Sequence, residues 1–312
     1  MIKRKLSSYQ FTSWIKLEPV KYLIKYIRNY FVTTLYVAKK GKNLDSFLKK
    51  CKHLSGKNII LIIAFEQPWV IEWQLKISKE NIKDATIIIF DNSRDQSKKN
   101  KIKSVCHDLN ALYFSLPKNK TLHVNRSHSL AMQWVYENVV KAIKPNIFAF
   151  IDHDLILIKG FSLLNAIKDQ DFYGWHRGGL QRKNPDAWYL WAGYCMYNYT
   201  KIKKSNLYFM YDFANGLDTG GGNYDALYHG YDDRNMNFSS ASQVSINIPS
   251  IGVVDDLMLL DDSWYHIGSV GHNDNTKLKR GYVTTLFNKI EKGDSWDDFV
   301  VSCKTIQNKH NS

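Results

Sequence analysis

Between residues 56 and 151 the chain alternates short apolar runs with longer segments whose apolar residues recur every three or four positions. Residues 58–65 (NIILIIAF), 85–90 (ATIIIF), 111–116 (ALYFSL) and 147–151 (IFAFI) are largely apolar throughout. Such runs suit strands covered on both faces. Between them, Pro68 opens a helical segment that runs to about Lys76. Ile102, Val105, Cys106 and Leu109 mark a second helix. Leu130, Trp134, Val135, Val139 and Ile143 mark a third, which stops before Pro145. This strand–helix rhythm predicts an α/β fold with a mostly parallel central sheet and helices on both faces. After residue 160 the rhythm breaks. The aromatic segments 171–179 and 188–199 read as shorter strands and loops, and 295–309 as a terminal helix.

Residues 20–38 carry a different pattern. Val20, Leu23, Ile24, Ile27, Tyr30, Phe31 and Leu35 recur at helical spacing, with Lys21, Lys25 and Arg28 between them. Charge sharpens this division. Of the net +14, +11 falls in residues 1–55, where thirteen Lys and Arg face only Glu18 and Asp45. The expected organisation is a basic, mainly helical segment over 1–55, an α/β body over 56–290 and a C-terminal helix or tail over 291–312. A basic amphipathic helix can lie in a membrane interface against anionic lipid. It can equally pack its apolar side on the body and leave its lysines in water. Nucleic acid is a weaker partner for this charge, because no recognised binding motif accompanies it.

The four cysteines, Cys51, Cys106, Cys195 and Cys303, form no C-x-x-C pair, so a zinc cluster or disulfide framework is not expected. No apolar run has the length of a membrane span, and no apolar stretch follows the first basic residues as in a signal peptide. The expected location is cytoplasmic, peripheral at the inner face of the membrane.

In a doubly wound sheet, ligands bind beyond the carboxyl ends of the strands. Asp152-His153-Asp154 follows the fourth apolar run directly. Residues i and i+2 of an extended segment point the same way, so both carboxylates could serve one Mg²⁺ or Mn²⁺ that keeps open positions for phosphate. The alternative is a pair of loop carboxylates capping a helix. Asp91, Ser93 and Asp95, after the second run, could contact a nucleoside, or could make a turn and helix cap. Glu66, after the first run, has the same ambiguity. His266, in WYHIGS, is a third candidate metal ligand, with His272 competing for the role. The Asp218-Thr-Gly-Gly-Gly-Asn-Tyr-Asp225 segment supplies two candidate bases, and its spacing does not choose between Asp218 and Asp225. Trp175, Trp188 and Trp191 could stack on sugar rings or belong to the core.

Taken in order over residues 57–275, these pieces resemble the family-2-like GT-A glycosyltransferases. The matching segments are NIILIIAFEQ, IIIFDNSRD, HVNRSHSLAMQW, FIDHDLIL, WAGYCMYN and YHIGS. The resemblance implies a nucleotide-diphosphate sugar donor, bound near Glu66, Asp91, Ser93, Asp95, Asn125 and Asp152. It implies Mn²⁺ or Mg²⁺ held by Asp152, Asp154 and His266. It also implies a glycan or lipid-linked acceptor of the kind used in cell-surface polysaccharide synthesis, and an inverting outcome. The relatives' Glu-Asp pair at the base position has no counterpart here, which leaves Asp218 and Asp225 as the bases on offer. Two other readings compete. One is a catalytically degenerate scaffold that binds membrane or nucleic acid. The other is a nucleotidyltransferase, for which the glycine-free Glu66-Gln67-Pro68 loop is a poor fit.

Overall fold

The computed structural model describes residues 4, 6–179, 184–268, 270 and 276–306. The N-terminal part holds α1 (Phe11–Ile15), α2 (Glu18–Val37) and α3 (Leu44–Cys51). The body then alternates β1 (Asn58–Ala64), α4 (Pro68–Asn81), β2 (Ala85–Asp91), α5 (Gln96–Asp108), β3 (Leu112–Ser115) and α6 (Val124–Val135). A π-helical turn over Tyr136–Val140 leads to α7 (Lys141–Ile143), followed by β4 (Ile147–Asp152) and β5 (Leu155–Leu157). Then come α8 (Leu163–Ile167), β6 (Phe172–Gly178), β7 (Trp188–Asn198), α9 (Tyr199–Ile202) and α10 (Asn223–Ala226). The chain continues through β8 (Ala241–Ile248), β9 (Gly252–Leu260), β10 (Trp264–His266), α11 (Thr276–Glu291) and β11 (Val300–Thr305).

The central sheet has the order β3-β2-β1-β4-β7-β6. Its first four strands are parallel, while β7 runs antiparallel to both β4 and β6. The continuous apolar runs are explained by double coverage. Ile59, Leu61 and Ile63 of β1 enter one core with Leu130 and Trp134 of α6. Ile60, Ile62 and Ala64 enter the opposite core with Ile71 and Leu75 of α4. Each isoleucine so buried contributes about 1.5–3 kcal/mol relative to exposure.

A second, antiparallel sheet has the order β11-β8-β9-β10-β5. Its core takes Trp69, Trp73 and Ile77 from α4, together with Tyr265 and the Phe287 of α11. Helix α4 is therefore apolar on two sides because it is packed between two sheets. The chain passes from the first sheet to the second through His153 and Asp154, the turn between β4 and β5.

The C-terminal helix expected over 295–309 does not form. Ser295 caps a short 3₁₀ turn, Trp296–Phe299, in a capping box with Asp298. Trp296 and Phe299 bury beneath the second sheet, and the β-branched Val300 and Val301 lead into β11, antiparallel to β8. Pairing with an available sheet edge outweighs the weak helical pattern. Residues 307–312 lie outside the described part. Cys51, Cys106 and Cys195 are buried free thiols and Cys303 is exposed. Burial pushes the Cys106 and Cys195 thiols up to about 12.

Candidate active site

The Asp152–Asp154 turn is gripped on several sides. The buried Gln74 of α4 donates from Nε2 to the carbonyl oxygens of Asp152 (3.2 Å) and Leu155 (2.8 Å). The Ile267 N–H donates to the Asp154 carbonyl (2.9 Å). His153 Nδ1 lies 3.3 Å from the Ile63 carbonyl, and its Nε2 is buried with no partner among the described residues. With the backbone spoken for, each aspartate side chain meets a histidine from a distant element. His128 Nε2 of α6 lies 3.4 Å from Asp152 Oδ1, and His266 Nε2 of β10 lies 3.6 Å from Asp154 Oδ1. The Asp152 side chain is 25% exposed and that of Asp154 10%.

The electrostatics follow from this matching. Burial penalises the charged imidazole of His266, but the Asp154 and Asp152 carboxylates outweigh it and hold the group above its ordinary value. Burial likewise works against the Asp154 charge, yet the His266 imidazole holds that carboxyl well below the usual range. For His128, burial prevails over the attraction of Asp152 and holds the group below its ordinary value. Among the described residues, no three His, Cys, Asp or Glu side chains form a ready-made metal cluster. Each carboxylate is matched to its own imidazole instead.

The wall above Asp152 is set by Gly193 of β7. A Cβ there would sit 2.5 Å from Asp152 Oδ2 and 2.5 Å from the Trp191 ring. Trp191 meets His266 edge-on at 5.1 Å between centroids, and Trp175 meets Trp191 the same way at 5.4 Å. The Arg177 guanidinium covers the Trp175 ring at 4.5 Å. Trp188 instead stacks on Tyr228 in the core.

The candidates after β1 and β2 are engaged with one another. Asp91 is sealed from solvent and accepts from the Ser93 N–H (2.8 Å) and the Tyr113 hydroxyl (2.9 Å). Burial raises its carboxyl above the ordinary value despite these bonds. Ser93 Oγ accepts from the Glu66 N–H (2.8 Å). Glu66 Oε1 accepts from the N–H groups of Arg94 (3.1 Å) and Asp95 (3.3 Å). Asp95 is the N-cap of α5, accepting from the Lys98 N–H. Asn92 Nδ2 ties the same loop to Ser127 of α6 (3.0 Å). These residues build the loop, as turn and cap chemistry allows.

Asn125 and Asp218, 93 positions apart, come together: Asn125 Nδ2 donates to Asp218 Oδ1 at 3.1 Å. Asn125 lies one turn before His128 on α6, so this bond brings Asp218 to the helix that meets Asp152. Asp225 lies elsewhere. It lines a cavity of about 910 Å³ between α2 and the body, with Tyr26, Tyr208 and Tyr211. Ser269 and His272 lie outside the described residues. Sequence reasoning missed His128, Gln74 and Gly193. For His128 the signal was its place three residues after Asn125, on the same helix face.

Comparison with known protein families and with curated proteins finds no match. Among solved structures, the chain is similar to a mannosyltransferase from Pyrobaculum calidifontis in complex with GDP-mannose and Mn²⁺. The identity is 11% over 59% of this chain and 56% of that one, with a TM-score of 0.35. It is similar to the galactosyltransferase LgtC in complex with donor and acceptor sugar analogues, at 11% identity over 55% of this chain and 70% of that one, TM-score 0.37. It is also similar to the bifunctional glycosyltransferase WbbM, at 12% identity over 57% of this chain and 38% of that one, TM-score 0.38. The likeness thus spans little more than half of the mannosyltransferase's length.

Proposed function

We propose that the chain is a GT-A glycosyltransferase that moves a sugar from a nucleotide-diphosphate donor onto an acceptor hydroxyl. The observation that carries this reading is the Asp152–Asp154 turn at the carboxyl end of β4. It sets Asp154 against His266, which meets Trp191, and Asp152 against His128, one helical turn from the Asn125 that binds Asp218. The donor set, hard carboxylate oxygens with an imidazole, suits Mn²⁺ or Mg²⁺; Asp152, Asp154 and His266, which stand among the described residues as parts of separate pairs and not as a ready-made cluster, would be the residues to hold it. Such an ion, when bound, supplies positive charge to the departing diphosphate.

The chain's own part is positioning. Gln74 fixes the turn, so the carboxylates need little reorganisation. The half-buried Trp191 ring offers an apolar face to a sugar, backed by Trp175, whose own ring is covered by Arg177. Asp218 is the residue to take the acceptor proton, because it lies on the Asp152 side and its hydrogen bond from Asn125 orients it. A single displacement with one base inverts the anomeric centre. Acceptors on a growing surface glycan or a lipid carrier fit this reading.

Binding of nucleotide sugars, measured by thermal shift with Mn²⁺ and with chelator, tests it. The expected result is metal-dependent stabilisation by one donor, lost in Asp152→Ala/Asp154→Ala. Indifference to every common donor, in wild type and variant alike, would point to a degenerate scaffold.

A further inference from the structure

The exposed apolar surface of this protein is concentrated at one end. Twelve of the twenty exposed large apolar or aromatic residues among the described ones lie between Leu6 and Leu35. On α2 they include Leu23, Ile24, Ile27, Phe31 and Leu35, with Ile24 61%, Phe31 60% and Leu35 69% exposed. At about 100° per residue these positions share a stripe of roughly 120°. A helix packed on the body in the ordinary way would bury that stripe.

This one buries the opposite side. Tyr22, Asn29, Thr33 and Tyr36 face inward. The Tyr36 hydroxyl donates to the Pro117 carbonyl (2.9 Å), and Trp134 Nε1 of α6 donates to the Lys39 carbonyl (2.9 Å). The mixed-polarity face is thus held to the protein, and the largely apolar face, interrupted by Thr34, is turned outward. Phe11 of α1 is itself 79% exposed. Lys16, Lys21 and Arg28 are exposed beside it. Among the described residues, no helix is long and apolar enough to cross a membrane.

We propose that the outward face of α1 and α2 docks on the surface of an anionic phospholipid membrane, with Ile24, Ile27, Phe31 and Leu35 entering the acyl boundary and the flanking basic side chains meeting the headgroups. Charge complementarity selects this occupant. A second copy of the chain would bring an equally basic segment against its own kind, whereas an anionic bilayer supplies both the apolar interior and the opposite charge. The inference does not depend on the transferase reading, since none of these residues belongs to the Asp152–Asp154 site.

Co-sedimentation of the full chain with vesicles tests it, using phosphatidylcholine alone and phosphatidylcholine mixed with phosphatidylglycerol. The mixed vesicles should bind at least about tenfold better, with binding that weakens as salt is raised. Ile27→Asp/Phe31→Asp and Lys16→Glu/Lys21→Glu should each cut that binding about tenfold. Because all four positions are exposed, the thermal midpoint should barely move, and donor binding should persist. Absence of binding to mixed vesicles would overturn the proposal. So would a concentration-dependent dimer, seen by light scattering, that Ile27→Asp/Phe31→Asp dissolves while vesicle binding stays unchanged.

Discussion

Strands β2 and β4 are near neighbours in one parallel sheet, and each ends an apolar run in an aspartate. Their fates differ. Asp91 is closed in by groups close at hand, the Ser93 N–H two residues on and the Tyr113 hydroxyl on the adjoining β3. Asp152 and Asp154 have their backbone satisfied by Gln74 and Ile267, so their carboxylates are left to titratable groups on α6 and β10. An aspartate at a strand end is therefore not by itself a ligand site. The proposed site differs in that the turn's backbone acceptors are taken up by other elements and the side chains are met by groups that a ligand could displace.

The largest expected effect is at β4. Asp152→Asn keeps the side chain's shape and removes its charge, so turnover of a nucleotide sugar should fall roughly 10²–10³-fold, on the scale of losing one preorganised electrostatic group. Its thermal midpoint should stay within a few degrees of wild type. Retention of full turnover would remove the contrast between the two strand ends. The base assignment gives a second break point. Asp218→Asn should lower kcat about 10²-fold or more with little change in donor KM, while Asp225→Asn, in the cavity beside α2, should stay within a few-fold of wild type. Equal losses in the two would refute the placement of the base.

At β2 the effect should appear in stability instead. Asp91→Asn leaves one of two buried donors facing an amide N–H, which costs about 1–3 kcal/mol. Urea unfolding should record that loss while the folded variant keeps turnover within a few-fold. The smallest effect concerns pH. Burial raises the Asp91 carboxyl in the folded state, so the folded protein binds the proton more tightly than the unfolded chain. That contribution is fully present below the ordinary carboxylate pKa and is lost as pH rises through the folded value. The stability gap between wild type and Asp91→Asn should accordingly widen on acidification from neutral pH. A gap that narrows would mean that Asp91 is held as a stabilised carboxylate.

The α/β alternation was legible because β1, β2 and β4 are buried on both faces, and double burial writes itself as an unbroken apolar run. The antiparallel insertion of β7 between β4 and β6 was not legible, since it depends on pairing between Ile147 and Asn198, far apart in the chain. The second sheet was missed for a related reason: β8 and β9 are half-exposed and their patterns are irregular. At the site, the Asp-x-Asp turn could be read from its position after an apolar run. Of its partners, His266 was named from the sequence; His128 and Gln74 were not, because they sit on helices whose periodicity marks them as ordinary inward-facing residues and the spacing of His128 from Asn125 is a weak signal. For Asp95 the modest alternative, a helix cap, is what formed. The apolar stripe of α2 was visible in sequence, but which way it faced required the packing of Tyr22, Asn29 and Thr33.

The Asp152–Asp154 turn is also the seam where the chain leaves one sheet for the other, with His128 anchored to the first layer and His266 to the second. Any shear between the layers must change the spacing of these four side chains. A ligand that bridges them would act as a rivet, stiffening the joint between the two halves of the molecule. Its arrival should register far from the site, as slower amide exchange in β10 and along the inner side of α4.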